Sequence, residues 1–212
     1  MKSILCPTIA LCLALGLLPK AIAGEWQSLF DGRSLAGWQS NDEKPGCFTV
    51  EDGAIKVSGG RAHLFYLGPD GKASFKDFEF KAKVKTTPGS NSGIYFHTQF
   101  QPAGWPEKGY ECQVNATHKD RRKTGSLYAI VDVLDQAPNV DGEWFDYGIR
   151  VEGTRVTITI NGKTCVDYTE PSNVDRPPNM AGRRIGSGTF ALQAHDPKST
   201  ILFKDISVRP LP

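Results

Sequence analysis

From Phe48 onward, apolar and polar residues alternate in short runs, the spacing of strands whose successive side chains face opposite ways. "CFTVEDGAIKVSG" is two such runs around Asp52-Gly53, which predicts a hairpin. In "ASFKDFEFKAKVKTT", Phe78, Phe80, Ala82 and Val84 alternate with Glu79, Lys81, Lys83 and Lys85, a half-buried strand with a solvated outer face. "SGIYFHTQF", "GYECQVNAT" and "SLYAIVDV" read as further strands, and "FDYGIRVEGTRVTITINGKTCVDY" as three, broken at Glu152-Gly153 and Asn161-Gly162. "GTFALQAHD" and "TILFKDISVRPL" close the chain. No comparable span has helical period and no tandem repeat is visible. Many short strands with Gly and Asn turns indicate a sandwich or a barrel. Phe80, Ile94, Phe96, Val114, Ile149, Val151, Ile158, Leu192 and Phe203 are its expected core. "TPGSNSG" and "QPAGWPEKG" read as surface loops. "TEPSNVDRPPNMAGRRIGSG", the longest unpatterned stretch, is either a lid or an excursion around a sheet edge.

The first residues form a different pattern. Lys2, an apolar run from Ile4 to Leu18, and Ala21-Ile22-Ala23 predict a signal peptide over residues 1–23, a single domain over 24–212 and a secreted or periplasmic protein. Removing Lys2 and Lys20 brings the 25 basic residues level with the 23 acidic ones. A neutral chain gives no general electrostatic reason to bind nucleic acid or an anionic membrane, whereas neutral polar ligands such as sugars suit it. Cys47, Cys112 and Cys165 remain, an odd number without C-x-x-C spacing, so a structural zinc site is not expected.

"WQSLFDGRSLAGW", "NSGIYFHT", "GYECQV", "TGSLYAIV", "FDYGIRVEGTRVTITINGK" and "GTFALQAHD" followed by "ILFKDISV" resemble, in order, the 3-keto-disaccharide hydrolase family. The resemblance runs from about Glu25 to Leu211. It implies an all-β, concanavalin A-like β-sandwich (jelly roll) of two antiparallel sheets with ligand on the concave one. It further implies a secreted or periplasmic enzyme acting on sugars oxidised at carbon 3.

If the central strands lie in that concave sheet, alternation sends Ile94, Phe96, Phe190, Leu192 and Ala194 inward. Tyr95, His97, Glu111, Gln113, Gln193 and His195 then share one groove, the amides and the carboxylate suited to hydroxyl pairs and the aromatic ring to a sugar face. Glu111 is the candidate base, with His97 and His195 as partners in catalysis. Tyr95, Gln113, Tyr128, Trp144 and Gln193 are candidate substrate contacts. Tyr128 serves equally as a cap on the core edge and Trp144 equally as packing; Asp146 and His118 are weaker candidates. No cofactor is expected. His97, Glu111 and His195 around a divalent ion are the remaining option, although no H-x-H or H-E-x-x-H spacing supports it.

Three functions follow. An ordinary glycosidase needs paired carboxyl groups, and Gln113 and Asn115 occupy the alternate places after Glu111. A non-catalytic, lectin-like binding module fits the amides and aromatics, but desolvating a carboxylate for a neutral ligand is unfavourable. Cleavage of a 3-keto-glycoside, the activity the resemblance suggests, needs one base, donors for an enolate oxygen and an acid for the leaving group, but no second carboxylate.

Overall fold

The computed structural model describes residues 24–41, 43–44 and 46–212, so the signal peptide expected over residues 1–23 lies outside the described residues. In chain order the strands are β1 (Gln27–Ser28), β2 (Trp38–Ser40), β3 (Phe48–Glu51), β4 (Ala54–Ser58), β5 (Ala62–Tyr66) and β6 (Phe78–Thr86). There follow β7 (Ser92–Thr98), β8 (Tyr110–Val114), β9 (Phe145–Glu152), β10 (Arg155–Ile160), β11 (Lys163–Thr169), β12 (Thr189–Ala194) and β13 (Thr200–Pro210). Among the described residues the only helical piece is a 3₁₀ turn at Pro178–Met180, and no helix is long and apolar enough to cross a membrane.

Eight strands form one sheet, in the order β11-β10-β9-β6-β13-β4-β3 with β1 added on β13; the other five form the order β2-β5-β12-β7-β8. The pairings are antiparallel throughout. Local chemistry fixes two of the hairpins. Asp52 and Gly53 (φ 49° and 74°), like Asn161 and Gly162 (φ 50° and 75°), take the paired positive φ of a two-residue hairpin turn. The expected core positions are all buried between the sheets in one continuous cluster. Each large apolar side chain so buried stabilises the fold by about 1.5–3 kcal/mol, and the antiparallel pleat delivers them by alternation.

Two local expectations change. The 126–133 stretch is not a strand. Leu127 N–H donates to Val131 O, Ala129 has φ 58°, and Asp132 Oδ1 accepts from the Ala129 N–H, so the segment turns back on itself. It still serves the sheet, because Tyr128 N–H donates to Glu111 O, and Gln113 exchanges backbone bonds with Gly125 and Ser126. These contacts cover the outer edge of β8. The second change is at His97, where β7 takes φ 54° and the register between β7 and β12 slips between Thr189 and Ala191. Gly109 and Gly188 leave room for this bulge: a Cβ at Gly109 would stand 2.0 Å from Phe96 O, and one at Gly188 2.2 Å from Thr98 O.

Candidate functional site

The exposed face of the five-stranded sheet carries a pocket of about 270 Å³. Cross-strand pairing sets its floor. Tyr95 pairs with Glu111 and with Ala191, Gly93 with Gln113, and Gln193 with His63. Gly93 is a necessary gap, since a Cβ there would lie 2.6 Å from Glu111 Oε1. The Glu111 carboxylate therefore folds back across β7. Tyr95 OH donates to Glu111 Oε2 (2.8 Å), and Gln193 Nε2 donates to Glu111 Oε1 and Tyr95 OH (2.9 Å each).

Glu111 is 6% exposed. Burial raises its pKa above the ordinary carboxylate value, and Arg183 and the Tyr95 and Gln193 hydrogen bonds only partly offset this. Arg183 Nη2 lies 3.5 Å from Glu111 Oε2 and its guanidinium stands 5.3 Å above the Tyr95 ring. Beside them Gln113 Nε2 donates to Asn91 Oδ1 (2.9 Å). Gln113 Oε1, Gln193 Oε1 and Arg183 Nη1 have no hydrogen-bond partner, an unusual concentration of unpaired buried polar atoms around one pocket. Asn115, the third polar residue of that strand face, has a different task. Its Nδ2 donates to Asp120 O and Arg122 O, and its Oδ1 accepts from His118 N–H, closing the loop after β8.

At the other side of the pocket His195 follows the end of β12, with Nδ1 3.0 Å from Asp196 Oδ2. The His118 ring stands 5.6 Å from that of His195. His118, His195 and Asp196 offer ligand atoms within 4.8 Å of one another. The Asp120 N–H donates to His118 Nδ1 (3.1 Å), which puts the neutral ring's proton on Nε2. That tautomer opposes metal ligation through Nε2 and suits a proton-transfer cluster. The His97–Glu111–His195 metal grouping does not assemble, because His97 is turned away.

His97 and Trp144 are corrections to the expected groove. The bulge in β7 rotates His97 off the pocket face. Its Nε2 donates to Lys76 O (2.8 Å), its Nδ1 accepts from Gly186 N–H (3.2 Å), and its ring packs on Phe78 and Phe96. Trp144, just before β9, packs against the other sheet, where Lys85 and Lys204 stand 4.9 and 4.3 Å from its ring. Asp146, on that sheet too, pairs with Lys83. Tyr95, Glu111, Gln113, Tyr128, Gln193 and His195 do come together around the pocket. Tyr128 lies under the Arg122 guanidinium at 4.8 Å.

Sequence reasoning missed Arg183, Trp105 and Asp120, which also line the pocket. All three sit on loops, where no periodicity assigns a face. The long loop after β11 is both excursion and cover, since it travels around the sheet and returns Asn179, Met180 and Arg183 to the pocket. Its base is anchored by Glu170, which accepts from the Tyr110 hydroxyl and the Ile185 N–H, and by Arg176, which donates to the hydroxyls of Tyr110 and Tyr168 (2.9 Å each). Asp120 gives the pocket a second carboxylate that strand alternation did not foresee.

Comparison with known proteins agrees with this architecture. A curated 3-keto-disaccharide hydrolase from Bacteroides thetaiotaomicron is 27% identical over 166 residues, 66% of this chain and 57% of that protein. The chain thus spans little more than half the length of that relative. A crystal structure from Parabacteroides distasonis, of a candidate glycosyl hydrolase, superposes with a TM-score of 0.75 at 23% identity, covering 89% of this chain and 94% of that one. A family 16 endo-β-1,3(4)-glucanase shares the fold at a TM-score of 0.57 and 10% identity, with 92% and 93% coverage. The concanavalin A-like lectin and glucanase fold is therefore the one this sequence adopts. The family described as the 3-keto-alpha-glucoside-1,2-lyase-like domain matches residues 25–209, and the chain belongs to it.

Proposed function

We propose that this protein is an exported enzyme that cleaves 3-keto-glycosides by elimination followed by hydration. The observation that carries this reading is Glu111: a buried carboxylate with a raised pKa, held by two neutral donors and one arginine at the floor of a sugar-sized pocket. A ketone at carbon 3 acidifies the hydrogen on carbon 2. Glu111 removes that proton, and a base whose pKa is raised toward the working pH is the more effective for it. The electrons pass to the carbon 3 oxygen as an enolate, which Arg183, with its unpaired Nη1, stabilises by donation, while the unpaired Gln113 and Gln193 oxygens accept from sugar hydroxyls.

The enolate collapses to expel the substituent on carbon 1, and His195, oriented by Asp196, gives its proton to the departing oxygen. Water then adds across the carbon 1–carbon 2 double bond, hydroxyl to carbon 1 and hydrogen to carbon 2. The products are a free alcohol and a 3-keto sugar, a net hydrolysis. The substrate class is also supported by family membership, by the curated relative's name and by the lack of net charge once residues 1–23 are removed.

Asp120 favours one other reading, a conventional glycosidase with Glu111 and Asp120 as its carboxyl pair. Purified protein offered a 3-keto-glucoside and its unoxidised counterpart separates the two, with products followed in deuterium oxide. Elimination and hydration require the ketone and place solvent deuterium on carbon 2. Turnover of the unoxidised glycoside without deuterium at carbon 2 would establish the glycosidase instead. Binding of either compound without turnover would establish a non-catalytic module.

A further inference from the structure

The pocket floor continues beyond its open part. His63 on β5 pairs with Gln193 on β12, so its side chain lies on the same face as the pocket amide. The ring is wholly buried, and neither nitrogen has a hydrogen-bond partner within the protein. Trp105 covers it. The indole meets His63 edge-on at 5.5 Å, leans on His195 at 5.5 Å, and has the Arg61 guanidinium 5.5 Å from its ring. Trp105 is itself 41% exposed.

The loop that carries Trp105 is tied chiefly to itself. Gln101 Nε2 donates to Ala103 O and Trp105 O, and Gln101 Oε1 accepts from Glu107 N–H. Gly104 and Gly109 punctuate it with φ 83° and 77°. A side chain held by ring contacts on a self-closed loop is easily displaced. A buried imidazole with two unpaired nitrogens, by contrast, is unfavourable where it stands and gains hydrogen bonds when a polar ligand replaces its cover.

We propose that Trp105 is a movable cover over a second sugar subsite, in which His63 hydrogen-bonds the leaving-group half of the glycoside. The inference rests on the cleavage reading above and deepens it. Its location follows from the order of groups across the sheet. Glu111 on β8 stands at one end of the pocket and His195, after β12, towards the other; His63 lies one strand further on, on β5, where its ring also meets Tyr95 edge-on at 5.5 Å, and Trp105 reaches over it from the loop between β7 and β8. If His195 protonates the departing oxygen, the departing sugar extends onto the ground Trp105 covers. The open pocket is slightly smaller than the roughly 300 Å³ at which sites for drug-sized ligands begin, which suits one ring better than two.

The test compares His63→Phe with wild type on two substrates, a 3-keto-disaccharide and methyl 3-keto-glucoside. Phenylalanine fills the same apolar niche without ring nitrogens. The expected result is a KM about tenfold higher for the disaccharide, the value of one or two lost hydrogen bonds. The methyl glycoside should be unaffected, kcat unchanged for both, and Tm no lower than wild type. Equal effects on both substrates, or none, overturn the subsite while leaving the cleavage reading in place. No turnover of either substrate by wild type overturns both.

Fluorescence keeps the question open to refutation if His63→Phe does not fold. Disaccharide binding should change tryptophan emission in wild type, and Trp105→Phe should abolish that change. A change that persists undiminished in Trp105→Phe overturns the movable cover.

Discussion

Glu111 feels opposing influences, burial raising its pKa and Arg183, Tyr95 and Gln193 lowering it, with burial the larger. Its ionised form is the active one, so kcat/KM should fall as pH drops through a value above 4.5, and Glu111→Gln should lower kcat by about 10²–10⁴-fold while substrate still binds. Turnover and equilibrium binding measured across pH check both. His63 works on stability instead. Burial, with repulsion from Arg61, Arg183 and His195, holds its pKa at about 3 against an ordinary 6.5. The unfolded chain takes up that proton near pH 6.5 and the folded chain only near 3. This contribution is therefore complete above 6.5 and is lost as pH falls between the two, by about 1.4 kcal/mol per pH unit. His97, its pKa also lowered by burial, adds in the same sense. Glu111, with a raised pKa, acts in the opposite one, its contribution present below about 4.5 and lost as pH rises through the raised value. Urea unfolding at several pH values should show a flatter acid slope in His63→Phe than in wild type. Alternation in the sequence made Glu111, Gln113, Gln193 and His195 legible. It misplaced His97 because one residue of positive φ moves a side chain off its face, and nothing in "YFHT" marks that bulge.

At the scale of elements, the strands and their inward faces could be read from period-two patterning, and Phe96 shows what this is worth. It is fully buried in the core, and Phe96→Ala should cost roughly 3–5 kcal/mol in urea unfolding. The loops could not be read in this way. Arg183 reaches the pocket because Glu170 and Arg176 clamp the base of a long loop onto nearby Tyr168 and onto Tyr110, which is 60 and 66 residues away from them in sequence. Because Arg183 lowers the Glu111 pKa, Arg183→Gln should move the acid limb of the pH–rate profile to higher pH. Glu170→Gln should reproduce part of that shift by loosening the loop. A fall in rate with no shift of the limb would separate Arg183 from the ionisation of Glu111.

For the molecule as a whole, strand count and spacing indicated an all-β sandwich or barrel, and the resemblance carried by the ordered motifs narrowed this to a sandwich of two antiparallel sheets. The location of the protein rests on residues 1–23: exported material should have an intact mass that begins near Gly24, and retention of the segment on soluble exported protein would count against a signal peptide. The covered edge of β8 has a consequence for motion. Edge strands usually exchange their amide hydrogens with solvent readily, yet here the Gln113 and Tyr128 amides are engaged across that edge. β8 should exchange like an interior strand, opening only in large unfolding events. The carboxylate at Glu111 would then ride on some of the slowest-exchanging backbone in the protein, facing a tryptophan loop at the fast end of the same scale.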